Sequence, residues 1–327
     1  MIENHSQIMS SYVVKFPFKN SYTTPEEINS RFNNIRNYKP NFIVKPYTIH
    51  NLPDFQKSEL TFQGKQVLLI LSDDYDLDDI SDYFFENIRI DARRYDEKLT
   101  LREWWTENYW KYSPEKAKMN REKIYSKYHE ITTFRPSVMA SIIELFKVES
   151  VLDFSAGWGD RLIGCLAKNI KRYTGIDPNT RIDYEKIKSF FEQKFNISTK
   201  VKIIYKPAEL PEVGKMVRYK HDIIFTSPPY FDLEIYSTDE TQSIFDENKK
   251  KKSVDVWLQT FLFTTIRNLL PYVKKYLILI INDHPGNRYL RKMLNELNSW
   301  KELDYQGVIS YAKSKGSPQP MWIWKIK

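Results

Sequence analysis

Residues 151–177 read VLDFSAGWGDRLIGCLAKNIKRYTGID, and this stretch decides the fold. An apolar run at 151–154 ends in a turn bearing Gly157 and Gly159. An amphipathic segment follows at 161–169, then a second apolar run at 173–176. Strand, tight turn, helix and strand form one βαβ unit, whose crossover makes the two strands parallel. The alternation continues down the chain. Runs at 201–205, 222–226 and 275–281 read as strands, and 181–195, 254–270 and 287–297 as helices. The last two apolar runs, 303–310 and 320–326, have only the stretch YAKSKGSPQ between them. Gly316, Pro318 and Pro320 make that connection a loop joining an antiparallel pair. The predicted fold class is α/β, a Rossmann-like doubly wound sheet over 131–327 with an antiparallel last strand.

Residues 1–130 are less regular and read as an N-terminal α+β extension packed on the second half, a candidate target-recognition region. Residues 64–76 predict a strand running into a turn, 101–112 an aromatic-rich helix and 116–128 a charged helix. Trp104, Trp105, Tyr109 and Trp110 lie at helical spacing, which reads as core rather than as a base-stacking platform. Arg93 and Arg94 read equally as phosphate contacts or as a salt-bridged surface.

Composition narrows the function classes. With 41 % hydrophobic and 15 % aromatic residues in 327, the chain buries a sizeable core. Its apolar runs are too short to cross a bilayer, and its first residues lack the basic-then-apolar pattern of a secretory signal. The lone Cys165 excludes an internal disulfide framework, and the five histidines have no metal-ligand spacing. The expectation is a reduced, metal-free cytoplasmic protein, with nucleoid or nuclear access if it acts on DNA. Fifty Lys and Arg against 42 Asp and Glu leave a net charge of +8, which favours nucleic acid as partner. The plainer reading is a Lys-, Asn- and Ile-rich composition.

Ligands of open α/β sheets sit at the carboxyl ends of the strands, and two such ends carry chemistry. The first is the turn Asp153, Ser155, Ala156, Gly157, Trp158, Gly159, followed one βαβ step later by Asp177. Glycines let backbone approach a ligand closely, and an acid at the second strand end accepts bonds from ribose hydroxyls. The GxGxxG spacing is absent, so the turn suits adenosine without a pyrophosphate. The second end is Thr226, Ser227, Pro228, Pro229, Tyr230. Neither proline has an N–H for a ladder, so the strand stops there in a stiff corner.

These features, over 131–327, resemble the S-adenosylmethionine-dependent methyltransferase superfamily. The corner Ser227, Pro228, Pro229, Tyr230 is similar to the [D/N/S]-P-P-[Y/F/W] corner of those members that methylate exocyclic amines of bases. The resemblance implies a seven-stranded sheet, S-adenosyl-L-methionine as cofactor, and DNA as partner with base flipping, cytosine N4 ahead of adenine N6. It implies that Asp153, Ser155, Ala156, Gly157, Trp158, Gly159 and Asp177 hold the donor. Phe134 and Arg135 of TTFRPS (132–137) would close over its methionine end, and Glu209 would meet its adenine. In the catalytic role, the Ser227 hydroxyl and the Pro228 carbonyl accept the two amine N–H bonds, and Tyr230 stacks on the base.

Plainer readings stand beside each motif: a dinucleotide-binding or empty Rossmann-like pocket, a strand-ending turn at the corner, and a helix cap at Ser137. Lys249, Lys250, Lys251 and Lys252, in the long loop after the corner, read as phosphate contacts, a solvated tip or an import signal. In INDHPGN (281–287), Asn282, Asp283 and His284 read first as a turn and helix cap. Phe231 and Tyr236 line a base pocket or anchor the loop. Rival functions are an RNA, protein-amide or small-molecule methyltransferase of the same fold, and a nucleic-acid-binding protein without turnover.

Overall fold

The computed structural model describes residues 15–43, 55–71, 80–94, 97–113, 116, 121–128, 131, 133–236, 242–283, 286–312 and 318–327. Its sheet grows from β4 (Ser150–Asp153), whose four residues are all buried. Parallel neighbours β5 (Arg172–Ile176) and β7 (His221–Thr226) flank it. β6 (Lys200–Ile204) and β9 (Val273–Ile280) extend the sheet outward in the same direction. β11 (Gln319–Ile326) runs antiparallel between β9 and β10 (Leu303–Ala312). The order of these strands is β10-β11-β9-β7-β4-β5-β6. The direction of chain progression reverses between β4 and β7, the topological switch point at which such sheets bind ligands.

The sheet does not stop at the seven strands expected. β2 (Val67–Ile70) pairs in parallel with β10, and β1 (Asn41–Ile43) pairs antiparallel with β2, giving nine strands among the described residues. The strand predicted within 64–76 therefore belongs to the main sheet and not to a body standing beside it. Covering the β10 edge removes an open row of backbone donors and acceptors.

Side-chain alternation divides the core into two faces. Ile223 and Phe225 of β7 point into one, Ile224 into the other. The first face is covered by α1 (Pro25–Asn37), α5 (Pro136–Phe146), α6 (Asp160–Ala167) and α7 (Tyr184–Glu192). The second takes α8 (Pro211–Val217), α9 (Val254–Trp257), a π-helical stretch Leu258–Phe263, α10 (Thr264–Leu269) and α11 (Leu290–Ser299). Periodicity did not reveal α1 or α8. The first begins on a capping box, Thr24 with Glu27, and the second is a short segment started by Pro211. Pro136 takes the first position of α5 after Arg135, so Ser137 lies inside the helix and is not its cap.

The extension is joined to this core by packing and by charge. Phe32 of α1 stacks on Phe191 of α7 with ring centroids 3.8 Å apart. A separate cluster of Phe16, Leu101, Trp105, Ile124 and Tyr125 holds α3 (Leu101–Asn108) and α4 (Arg121–Lys127). Trp105 is core there, Trp104 and Tyr109 pack against the cluster, and the Trp110 side chain lies outside the described set. In α2 (Ser81–Arg89), both oxygens of Asp82 receive Arg89 at 2.8 Å. Arg121 bridges Asp82 and Glu86, which also accepts the Tyr125 hydroxyl. Buried charges persist only when paired in this way. Arg89 donates further to the carbonyl of Ile131 at 2.7 Å, fastening the extension to the approach to α5.

Phe32→Ala removes a fully buried ring and is expected to destabilise the protein by about 3–5 kcal/mol. Denaturant unfolding followed by far-UV dichroism and tryptophan fluorescence is expected to move as one transition. Two transitions, with only the weaker shifted, would show that the extension folds apart from the sheet.

Candidate active site

β4 and β7 are neighbours, so the glycine turn and the Pro-Pro corner leave the sheet side by side. Asp153, the last residue of β4, joins them. Its Oδ1 accepts the Thr226 hydroxyl at 2.9 Å, and its Oδ2 accepts Arg161 Nε at 2.7 Å and the Tyr173 hydroxyl at 2.9 Å. The residue is fully buried, so its carboxylate positions the two loops from beneath. Arg161 also donates to the Ser155 carbonyl and sits 5.0 Å from the centroid of the Phe134 ring. One ion pair thus touches the turn, the corner and the segment before α5. Arg161 had a signal in the sequence that was not used: a cation in the first turn of a helix opposes the helix dipole and needs another reason to be there.

The turn itself is built for close packing. Gly159 has φ +90°, and a Cβ there would meet Ile187 Cδ1 at 2.5 Å. Ala156 is buried, with its N–H on the Ile176 carbonyl at 3.1 Å, and Ser155 is half-buried. Gly157 N–H donates to Asp177 Oδ2 at 2.8 Å, Asn179 N–H to Oδ1 at 2.9 Å, and the Tyr184 hydroxyl to the Gly157 carbonyl at 2.6 Å. Asp177 is half-buried, and burial pushes its carboxyl up to about 6 despite the two amide bonds. Each of its oxygens still has a lone pair for a further donor. A hydroxyl-bearing ring held over this turn would find that acceptor.

Beyond the corner the chain gathers aromatic rings. Ser227, Pro229 and Tyr230 are half-buried and Pro228 is buried. Burial raises the Tyr230 phenol above its usual range; Tyr311 and Glu234 act in the same direction, while a side-chain hydrogen bond with Ser227 opposes them. Trp158 lies 6.0 Å from Tyr236. The Tyr236 hydroxyl donates to Glu234 Oε2 at 2.6 Å, and burial raises the Glu234 carboxyl. Gln242 closes the loop, accepting from Tyr236 N–H at 2.7 Å and donating to the Glu234 carbonyl at 2.6 Å. Phe231, by contrast, is buried 5.6 Å from Trp257 and anchors the loop. β8 (Glu234–Ile235) pairs with β3 (Arg93–Arg94), so the extension braces this segment directly. Sequence reasoning missed Glu234, four residues past Tyr230, and Tyr311, which tertiary packing brings near the corner.

The other singled-out residues divide. Phe134 is half-buried, 6.0 Å from Phe225 and 6.3 Å from Tyr311, and Arg135 beside it is half-buried; Thr132 lies outside the described residues. Glu209 is half-buried in the β6–α8 connection, where burial raises its carboxyl, and its carbonyl accepts Asn268 Nδ2 at 3.0 Å. Asp283 accepts the N–H groups of Tyr289 and Leu290 at 2.7 and 2.9 Å, the capping role expected, while His284 and Pro285 lie outside the described residues. Lys249, Lys250 and Lys251 are exposed and Lys252 is half-buried. Lys251 pairs with buried Asp232, and Lys252 donates to the Ser243 carbonyl at 3.0 Å. Lys249 and Lys250 are exposed on a turn closed by Asp246. Among the described residues no cluster of three His, Cys, Asp or Glu could hold a metal, and no helix is long and apolar enough to cross a membrane.

No protein-family model and no curated protein matches the chain. Among solved structures it is similar to a SAM-dependent methyltransferase from Agrobacterium tumefaciens, with 12 % identity, a TM-score of 0.38 and 61 % of this chain covered. The chain spans 64 % of that protein's length. It is also similar to magnesium protoporphyrin IX methyltransferase (ChlM) from Synechocystis PCC 6803 with bound SAM, at 12 % identity, a TM-score of 0.36, and 58 % and 77 % of the two chains.

Asp160, at the start of α6, is buried, and its Oδ1 has no hydrogen-bond partner among the described residues. Burial pushes its carboxyl up to about 7. The folded state therefore holds a proton that the unfolded chain releases near pH 4, and stability falls as pH rises through that window to about 7. Asp160→Asn lacks this dependence. Relative to it, the wild type is expected to lose stability by up to about 1.4 kcal/mol per pH unit between those limits. Urea titrations across the range measure it, and parallel curves would contradict it.

Proposed function

We propose that the protein transfers a methyl group from S-adenosyl-L-methionine to an exocyclic amino group of a base flipped out of DNA, cytosine N4 ahead of adenine N6. The observation that carries this reading is the 2.9 Å bond from Thr226 to Asp153, which holds the Ser-Pro-Pro-Tyr corner against the neighbouring glycine turn. A donor lying over that turn and an amine held at that corner would be adjacent.

The residues of the turn fit an adenosyl group. Asp177 would offer a half-buried acceptor with free lone pairs to ribose hydroxyls, and Gly157 would present backbone without a side chain to that group. Trp158 and Tyr236 would shield it from water on one side, and Phe134, against the Arg161 guanidinium, on another. When bound, S-adenosyl-L-methionine supplies an electrophilic methyl group on a sulfonium.

The protein's part is to make a poor nucleophile adequate. The lone pair of a base amine is delocalised into its ring. With the Ser227 hydroxyl oxygen and the Pro228 carbonyl each accepting one N–H, the nitrogen is drawn toward a pyramidal geometry that frees that pair. Two prolines hold the acceptors still, so little ordering remains to be done during reaction. Tyr230 offers a face for the flipped base to stack on. A serine hydroxyl is too weak a base to take the departing proton. As the new N–C bond forms, the methyl–sulfur bond would break and leave a neutral thioether on the spent donor, and the proton passes to water.

Labelled donor incubated with DNA and with RNA, followed by mass spectrometry of the released nucleosides, tests the reaction and names the product. Ser227→Ala and Tyr230→Ala are each expected to slow transfer about a hundredfold with donor affinity unchanged. Wild-type rates in both would remove the corner from the chemistry. Asp177→Asn is expected to weaken donor binding about tenfold. In the wild type, affinity rises with pH through about 6 as this carboxyl ionises, and the variant loses that rise. Calorimetry of donor binding at several pH values checks both.

A further inference from the structure

The amino ends of the parallel strands, opposite the corner, carry a row of cations that the reaction does not use. The register sets Lys200 of β6 beside Arg172 of β5 and, next in line, Ser150 of β4. His221 of β7 is level with Val273 of β9, which places Lys220 and Lys274 on the same rim. Arg218 lies two residues before Lys220, at the end of α8. Lys200, Arg218, Lys220 and Lys274 are all exposed, and Arg172 is half-buried. The acids at the starts of β4 and β7 are already matched, Glu149 by Lys171 at 2.6 Å and Asp222 by Lys275 at 3.6 Å. Among the described residues no ion pair engages Arg172, Lys200, Arg218, Lys220 or Lys274.

One aromatic stands in this row. Tyr219 is 56 % exposed, among the few large apolar side chains left open to solvent. The Arg172 guanidinium lies over its ring at 4.4 Å. From β6 to β9 the rim crosses four strand spacings, about 19 Å. That length matches about five phosphates of one nucleic-acid strand.

We infer that this rim is a second nucleic-acid surface, which grips the phosphate backbone of the polymer away from the base being modified. The inference rests on the proposed function for the identity of the polymer. Unpaired, exposed guanidinium and ammonium groups release counterions on meeting phosphates, which makes binding salt-dependent and indifferent to sequence. An exposed tyrosine stiffened by an arginine adds a stacking face for a base. An anionic membrane would meet the same charges. The rim has no apolar row to insert, so the observations favour nucleic acid. Holding the polymer here raises its effective concentration at the far end of the sheet.

The test uses the full chain without donor, a fluorescent DNA duplex of about 40 base pairs, and salt from about 50 to 200 mM. The variant Lys200→Gln, Arg218→Gln, Lys220→Gln, Lys274→Gln is expected to bind at least about tenfold more weakly. Its plot of log affinity against log salt is expected to be shallower by about 3 to 4. The double variant Lys200→Gln, Lys274→Gln gives about half that change and covers the case in which four substitutions disturb folding. Equal affinity and slope in wild type and well-folded variants would overturn the surface, as would rim-dependent binding to phosphatidylserine vesicles with duplex binding unchanged. Rim-dependent duplex binding by a protein that transfers no methyl group would sink the proposed reaction and leave this surface standing. Methyl transfer with rim-independent binding would do the reverse.

Discussion

A carboxylate buried at the end of the first parallel strand organises this protein. Asp153 has no access to solvent, and a charge in that position is tolerated only because Arg161, Tyr173 and Thr226 saturate its oxygens. Each partner belongs to a different element: the helix after the glycine turn, the next strand, and the strand that ends in the Pro-Pro corner. Removing any one would leave a buried charge short of a partner, so the geometry of the two loops is tied to the stability of the sheet.

The same logic recurs in the N-terminal part. Asp82, Glu86, Arg89 and Arg121 neutralise one another beneath α2, and Arg89 hands the network on to the backbone at Ile131. That residue leads into the segment carrying Phe134, which Arg161 supports from the other side. The two ionic networks therefore approach one another around the site. With β1 and β2 completing the sheet and β3 pairing with β8, the first third of the chain acts as a structural part of the site.

The two ends of the sheet differ in chemistry for a reason that follows from strand direction. The carboxyl ends gather turns, prolines, aromatic rings and carboxyls raised by burial, a setting for a bound ring and a neutral amine. The amino ends carry exposed cations, among them Lys200, Arg218, Lys220 and Lys274, which no ion pair engages among the described residues, a setting for a polyanion. A single long polymer meeting both would be held at one face and modified at the other.

How much of this could be read without coordinates depends on distance along the chain. Strand and helix alternation from 150 onward, the antiparallel final pair, the glycine turn, Asp177 and the corner are local patterns, because hydrophobic period and proline chemistry act within a few residues. The core role of Trp105 was equally readable from its spacing. The placement of β1 and β2 was not, since a short edge strand finds its partner only after the sheet exists to offer one. Nor was the pairing of Lys251 with Asp232 or of Lys252 with the Ser243 carbonyl, which depends on how the loop folds back. The sequence alone determined which segments become strands and where chemistry-bearing turns fall. Tertiary structure decided which of those turns meet, because burying Asp153 demands partners that lie up to 73 residues away in the chain.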